Sequence, residues 1–175
     1  WNLTVVAEVR AGLNMRNVAV SGDGLWVMAA NYLPRTAMLF DADLNLVKRF
    51  EAATLDGKES SRVSAVYDAA PRQSFVVALK DIPEVWEISY NPKVEPIYDG
   101  LVHDFRLGEG IAIPGYQGVR RTKLQEPLDD FFFDQEYTHV LGSIRPKSAA
   151  TAQTPTAQVV PLDLRRKIAE LPLPG

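Results

Sequence analysis

The chain has 175 residues, of which 46% are hydrophobic and 23% charged, with no Cys and a formal net charge of -3. That apolar fraction suffices for a packed core, which excludes a disordered or collagen-like chain, and the missing Cys excludes disulfide staples, thiolate zinc sites and iron–sulfur clusters. With 22 acidic against 19 basic residues and no long basic run, nucleic-acid binding has no electrostatic footing.

The N-terminal stretch Trp1-Asn2-Leu3-Thr4-Val5-Val6 has no initiator Met, no basic n-region and no apolar h-region. It reads as neither a signal peptide nor a translation start, and the expectation is a chain that begins mid-structure or after processing. No apolar stretch approaches the roughly 18 residues that cross a bilayer, so no membrane span is expected in this segment. Residues Leu3 to Val9 alternate like the outermost strand of a preceding sheet.

From there one unit recurs three times. Its second strands align without gaps as Leu25-Trp26-Val27-Met28-Ala29, Ser74-Phe75-Val76-Val77-Ala78 and Thr138-His139-Val140-Leu141-Gly142. The first strands are Asn17 to Ser21, Arg62 to Tyr67 and Leu128 to Phe133, and the third are Thr36 to Phe40, Val85 to Ile88 and Gln158 to Leu162. Turns follow at Asp41 to Asn45, Tyr90 to Lys93 and Asp163 to Arg166, and each leads into a fourth strand. The third unit carries an extra low-complexity segment, Pro146 to Pro155, read as a hairpin insertion. In the last unit Leu164, Ile168 and Leu171 have helical spacing, but Pro161, Pro172 and Pro174 crowd them, and the repeat predicts a strand.

Four short strands per unit, at a period of about 40 to 50 residues, is the signature of β-propeller blades. The expected fold is therefore all-β: three four-stranded antiparallel sheets packed face to face, with no helix longer than about two turns. The predicted boundaries are an outer strand of one blade at 1–12, blades at 13–56, 57–100 and 127–175, and an axial loop insertion at 101–126. Closed propellers have roughly four to eight blades, so three blades imply a fragment of a longer chain.

Chemistry-bearing residues are few. His103 lies in the Gly-flanked insertion Asp99 to Tyr116, read as a loop entering a blade on the propeller axis, where an imidazole can ligate a metal or act as acid or base. A hydrogen-bonded loop histidine is the plainer reading. His139 occupies the strand column of Trp26 and Phe75 and is expected to be a packing residue. Arg16 just before a first strand and Tyr32 just after a second strand suit a flat, anionic ligand on an axial pocket, or else a surface ion pair and a ring wedged between blades. Asp129 and Asp130 are adjacent in a strand, point to opposite faces and cannot share a proton or a metal. Gly108-Glu109-Gly110 lacks the rest of a phosphate loop, no Ser, His and Asp set has nucleophile-elbow context, and His103 with His139 lacks metal-ligand spacing.

Arg62-Val63-Ser64-Ala65-Val66-Tyr67, Phe75-Val76-Val77-Ala78-Leu79-Lys80-Asp81, Leu101-Val102-His103-Asp104 and Leu128-Asp129-Asp130-Phe131-Phe132-Phe133 resemble the heme d1 domain of cytochrome cd-type nitrite reductase and its relatives. Within that set, Ala29-Ala30-Asn31-Tyr32-Leu33-Pro34-Arg35, the run Tyr98 to Phe105 and Gly110 to Gly115 are most similar to the NirF group of heme d1 biosynthesis proteins. The resemblance covers nearly the whole chain. It implies an eight-bladed periplasmic propeller, sometimes membrane-attached through its own N-terminus, that binds heme d1 or a late precursor on its axis. It further implies a part in the last steps from a siroheme-derived tetrapyrrole to heme d1, and contacts with nitrite reductase and a related dehydrogenase.

By the same resemblance His103 matches a loop histidine that reaches the distal face of the heme. Arg16 matches an arginine that pairs with the macrocycle carboxylates, and Tyr32 a tyrosine near that rim. The chain departs from the reductase in lacking a Cys-x-x-Cys-His heme attachment, and the proximal iron ligand and second distal histidine belong to other blades. The expected role is binding and modification of a tetrapyrrole precursor. A non-catalytic carrier that delivers heme d1 to nitrite reductase is the alternative.

Overall fold

A computed structural model describes residues 2–98, 112–144, 156–163 and 169–172. Strands β1 (Asn14–Val20), β2 (Trp26–Leu33), β3 (Thr36–Asp41) and β4 (Leu46–Glu51) form the first sheet. The second comprises β5 (Val63–Ala69), β6 (Ser74–Leu79), β7 (Glu84–Ser89) and β8 (Val119–Lys123), and the third β9 (Leu128–Phe133), β10 (His139–Ile144), β11 (Thr156–Pro161) and β12 (Ala169–Pro172). Every pairing is antiparallel and strand order follows chain order. Among the described residues the one helical element is a 3-10 turn at Ala70–Arg72, and no helix is long and apolar enough to cross a membrane. These are antiparallel blades of a β-propeller, as the repeat predicts.

Side-chain alternation explains how the sheets stack. Along β6, Phe75, Val77 and Leu79 enter one core with Met28, Leu39 and Phe50 of the first sheet. Val76 and Ala78 enter another with Leu128, Val140 and Val160 of the third. The period of two thus divides one apolar run between two cores, and all six residues of β6 are buried. The first strands lie side by side, β1 on β5 and β5 on β9, so the sheets fan out from these edges. The far faces of the outer sheets stay open, with Val20 of β1 57% and Phe132 of β9 64% exposed.

A buried ionic lock fastens the fan. The Arg121 guanidinium donates to Glu84 Oε2 at 2.7 Å and to the Ala53 carbonyl at 2.8 Å, and lies 4.6 Å from the centre of the Trp86 ring. Trp86 Nε1 donates to the same Glu84 oxygen at 2.9 Å. The second sheet's two outer strands are thereby tied to the link from the first sheet, with the buried carboxylate satisfied by two donors.

Two boundaries differ from the sequence reading. The second sheet takes its fourth strand from Val119–Lys123, so the insertion falls between the third and fourth strands of one blade and not between blades. Pro92 and Pro96 explain this: they lack the N–H a ladder needs, and residues 91–98 pair only through an isolated bridge from Ile97 to Ile113. Residues 2–12, expected as an outer strand, carry no strand assignment, and among the described residues nothing pairs with them as a ladder.

The aligned column of second strands gives a test. Phe75 is fully buried, whereas Trp26 is half-buried beside the same core. Phe75→Ala in the full-length protein is expected to cost about 3–5 kcal/mol in urea denaturation and Trp26→Ala clearly less. Equal costs would show that the two positions are packed alike.

Candidate functional site

Each first strand contains one residue too many for its partner. In β1 the register passes from Met15–Asn31 to Asn17–Ala30, leaving Arg16 unpaired. In β5 it passes from Val63–Leu79 to Ala65–Ala78 around Ser64, and in β9 from Asp130–Ser143 to Leu128–Ile144 around Asp129. These β-bulges turn a side chain out of the inward and outward alternation, and all three lie near the strand starts. Ser64 Oγ donates to the Ala78 carbonyl and across the junction to the Leu128 carbonyl at 2.7 Å. Asp129 takes the Lys80 ammonium, and Arg16 stays exposed.

Where the first strands converge, a polar residue of the second sheet meets one of the third, within the field of a cation on the first. The Tyr67 hydroxyl of β5 donates to Asp130 Oδ1 of β9 at 2.9 Å, and its ring stands edge-on to Phe131 at 5.1 Å. Burial, the Asp130 hydrogen bond and the Asp130 charge hold the Tyr67 pKa above its ordinary value, while the Arg16 charge acts against them. Among the described residues Arg16 makes no ion pair of its own. A guanidinium beside a phenol and a carboxylate, on the axial edge of three sheets, can receive a carboxylate through its planar fork.

Tyr32 forms a second node at the same end of the sheets. Its ring lies 5.5 Å from both the Arg62 guanidinium carbon and the Lys80 ammonium. Arg62 pairs with Asp81 through two bonds, at 3.0 and 2.5 Å, and Arg35 donates to Ser60 Oγ at 2.7 Å. The Arg62 guanidinium, ahead of desolvation, holds Asp81 below the usual carboxylate range. Tyr32 is thus half-buried between the first and second sheets, with its cations already matched by carboxylates. Asp129 and Asp130 serve the two nodes separately, the bulged Asp129 on Lys80 and the paired Asp130 on Tyr67.

The structure brings Arg16 and Tyr32 to one end of the first sheet. His103 lies outside the described residues. The chain leaves for its segment after β7 and returns before β8, at the end of the second sheet opposite to Tyr32, so the expectation of a loop entering the next blade is corrected. Tyr67 and Asp130 were not singled out as a pair from sequence. Tyr67 was legible as the one hydroxyl-bearing residue among Val20, Tyr67 and Phe133, which pair with the aligned Val27, Val76 and Val140.

His139 also differs from its expected packing role. It keeps the predicted strand position but is half-buried, with Nδ1 2.8 Å from Asp134 Oδ2. The backbone N–H groups of Thr138 and His139 donate to Asp134 Oδ1, and the Thr138 hydroxyl donates to Oδ2 at 2.8 Å. Desolvation favours the neutral acid, but these donors outweigh it and hold Asp134 far below the usual carboxylate range. The residue closes the β9–β10 turn. A depressed carboxylate contributes stability that is complete above the unfolded value near pH 4 and is lost as pH falls toward the folded value. Asp134→Asn is therefore expected to cost on the order of 1 kcal/mol at pH 7 and to flatten the loss of stability below pH 4, read from melting curves across that range.

Residues 1–99 match the family model of the cytochrome D1 heme domain. Over its whole length the chain is 44% identical to dihydro-heme d1 dehydrogenase of Pseudomonas aeruginosa, covering 30% of that protein. It is 36% identical to protein NirF of Stutzerimonas stutzeri over 51% of the chain and 23% of the relative. The finer likeness thus belongs to the dehydrogenase more than to the NirF group. A solved dihydro-heme d1 dehydrogenase NirN in complex with DHE superposes with a TM-score of 0.77 at 44% identity, over 99% of this chain and 31% of that one. The β-propeller domain of Cps50 (Swd1) from Myceliophthora thermophila superposes at 0.55 with 11% identity, over 92% and 43%, a likeness of fold alone. The chain spans less than a third of the length of the curated relatives it matches.

Proposed function

The chain belongs to the cytochrome D1 heme domain family, and from that premise we propose that it forms part of the tetrapyrrole-binding propeller of a periplasmic protein acting late in heme d1 formation. The observation that carries this reading is Arg16. It is the exposed, unpaired residue of a β-bulge on a first strand, and its charge acts on Tyr67, in a chain that matches a dihydro-heme d1 dehydrogenase throughout. The residues present fit a flat macrocycle bearing carboxylates. Arg16 offers a bidentate fork, Tyr67 a polarised hydroxyl, and the aromatic Tyr32 lies nearby on the same sheet.

The tetrapyrrole is then substrate. In this reading Arg16 orients it by a carboxylate and the rim near Tyr32 excludes water, while His103, whose segment leaves the second sheet at the opposite end, is the acid, base or ligand that the family resemblance implies. The likeness to a dehydrogenase supports oxidation of the macrocycle over the modification expected of a NirF-type protein. A carrier that passes heme d1 to nitrite reductase is the alternative, since holding and transforming the ring draw on the same contacts.

Incubating the full-length protein with isolated dihydro-heme d1 and a soluble electron acceptor, which takes up the two electrons released as two protons leave the macrocycle, and following absorption and mass separates these readings. A change in macrocycle mass supports the enzyme, and tight binding without a change supports the carrier. Absence of binding overturns both. Arg16→Ala is expected to weaken binding by about 1.5–3 kcal/mol, on the order of tenfold to a hundredfold in Kd, with Lys restoring only part of it. His103→Ala is expected to alter the bound spectrum or slow turnover, whereas His139→Ala acts on melting temperature. An unchanged spectrum and turnover in His103→Ala would reduce His103 to a loop residue.

A further inference from the structure

A second cationic feature lies away from the axis, on the outermost strand of the second sheet. Arg120 of β8 stands cross-strand from Glu87 of β7, the natural partner for its charge. Glu87 is already taken. Arg72 donates to its two oxygens at 2.9 and 3.3 Å, and the Ser74 hydroxyl donates to Oε1 at 2.9 Å. Arg72 also reaches Asp163 at 2.9 Å, so Arg72 and its two carboxylates are satisfied among themselves.

Among the described residues Arg120 has no such partner, and its Nε is sealed from solvent without a hydrogen bond. It lines a cavity of about 310 Å³ with Arg72, Glu87, Ser89, Val94 and Ile97. The floor is held close by two buried glycines. A Cβ on Gly115 would stand 2.0 Å from the Glu95 carbonyl oxygen, and one on Gly118 2.1 Å from that of Pro114. An arginine whose Nε is sealed without a partner, beside backbone packed this tightly, is a costly arrangement for folding alone, because an unsatisfied buried donor destabilises the native state.

We propose that this recess is a binding site for a small oxyanion of the phosphate or carboxylate class, held by the Arg120 guanidinium. Arg suits both classes through paired N–H donors. Glu87 and Asp163 carry two negative charges against the two positive charges of Arg72 and Arg120, so the group is neutral overall, and Arg120 is its one member without a hydrogen-bonding partner among the described residues. It lies on the fourth strand, at the end of the sheet opposite to Tyr32, and is separate from the axial residues assigned to the tetrapyrrole.

The test uses the full-length protein in thermal melts and calorimetric titrations with inorganic phosphate, succinate and chloride at matched ionic strength. Phosphate, succinate or both are expected to raise the melting temperature saturably at one site, while chloride does not. The arm that responds assigns the class. Arg120→Gln should weaken that binding at least tenfold, Arg120→Lys should keep part of it, and Arg16→Ala should keep all of it. Without anion, Arg120→Gln should melt at or above the wild-type temperature, because it removes a sealed Nε–H that has no partner; a purely structural arginine gives the opposite sign. The proposal is overturned if the wild type responds to phosphate and succinate no more than to chloride, or if Arg120→Gln responds as the wild type does.

Discussion

Strand β6 of the second sheet has no solvent face, and the rest of the molecule is arranged around that fact. Phe75, Val77, Leu79, Trp86 and Ile88 fill the core shared with the first sheet, while Val76, Ala78 and Val85 fill the one shared with the third. A strand buried on both sides cannot slip by one residue without exchanging its two sets of side chains, so its register is doubly determined. With it is fixed the angle at which the neighbouring sheets lean in. Their first strands meet at one edge, and only there do β1, β5 and β9 come within reach of one another's side chains.

Convergence of backbones on one edge creates a second demand. A first strand has a ladder partner on one side only, so its other side presents unpaired N–H and C=O groups. At the junction of the first two sheets, the Asn17 amide answers both needs of Val66, donating to its carbonyl at 2.8 Å and accepting from its N–H at 3.1 Å. The side chain stands in for a peptide group of a missing strand. At the next junction Ser64 fills the corresponding place with one hydroxyl to the Leu128 carbonyl. Lys80 with Asp129, and Tyr67 with Asp130, extend the stitching along the same edge. The polar contacts of the axial region are therefore structural and chemical at once, because the groups that satisfy the exposed edge also present charge to the axis.

The architecture was readable because it rests on local signals. The period of two, the gapless column through Trp26, Phe75 and His139, and the Asp41 to Asn45 turn all lie within short windows. The Asp41 carboxylate indeed collects the N–H groups of Asp43 and Asn45. Where a prediction depended on which strand pairs across a long excursion, it failed, as with β8, because Val119–Lys123 is separated from β7 by a stretch whose own alternation mimics a strand. The Tyr67 and Asp130 contact spans 63 positions in sequence and exists only once the fan is assembled. Polar networks such as Asp134 with Thr138 and His139 are short-range, yet a histidine in an apolar column looks like packing until its Asp neighbour is seen to fold back on it.

The extra residue at the start of each first strand has a meaning beyond geometry. A residue in regular alternation belongs to one core or to its opposite, and its size is dictated by what it packs against. The bulged residue follows neither set, and the three sheets place there a cation, a hydroxyl and an anion in Arg16, Ser64 and Asp129, of which Ser64 is buried in the junction and Arg16 is exposed. Mutational tolerance is then distributed unevenly around the ring. Drift in charge and hydrogen-bonding character is cheap at the exposed Arg16 and expensive at Ser64 and Asp129, which join neighbouring sheets. Among the three described sheets the first thus carries, at Arg16, one position at which new ligand preferences can be tried without repacking the blade that holds it.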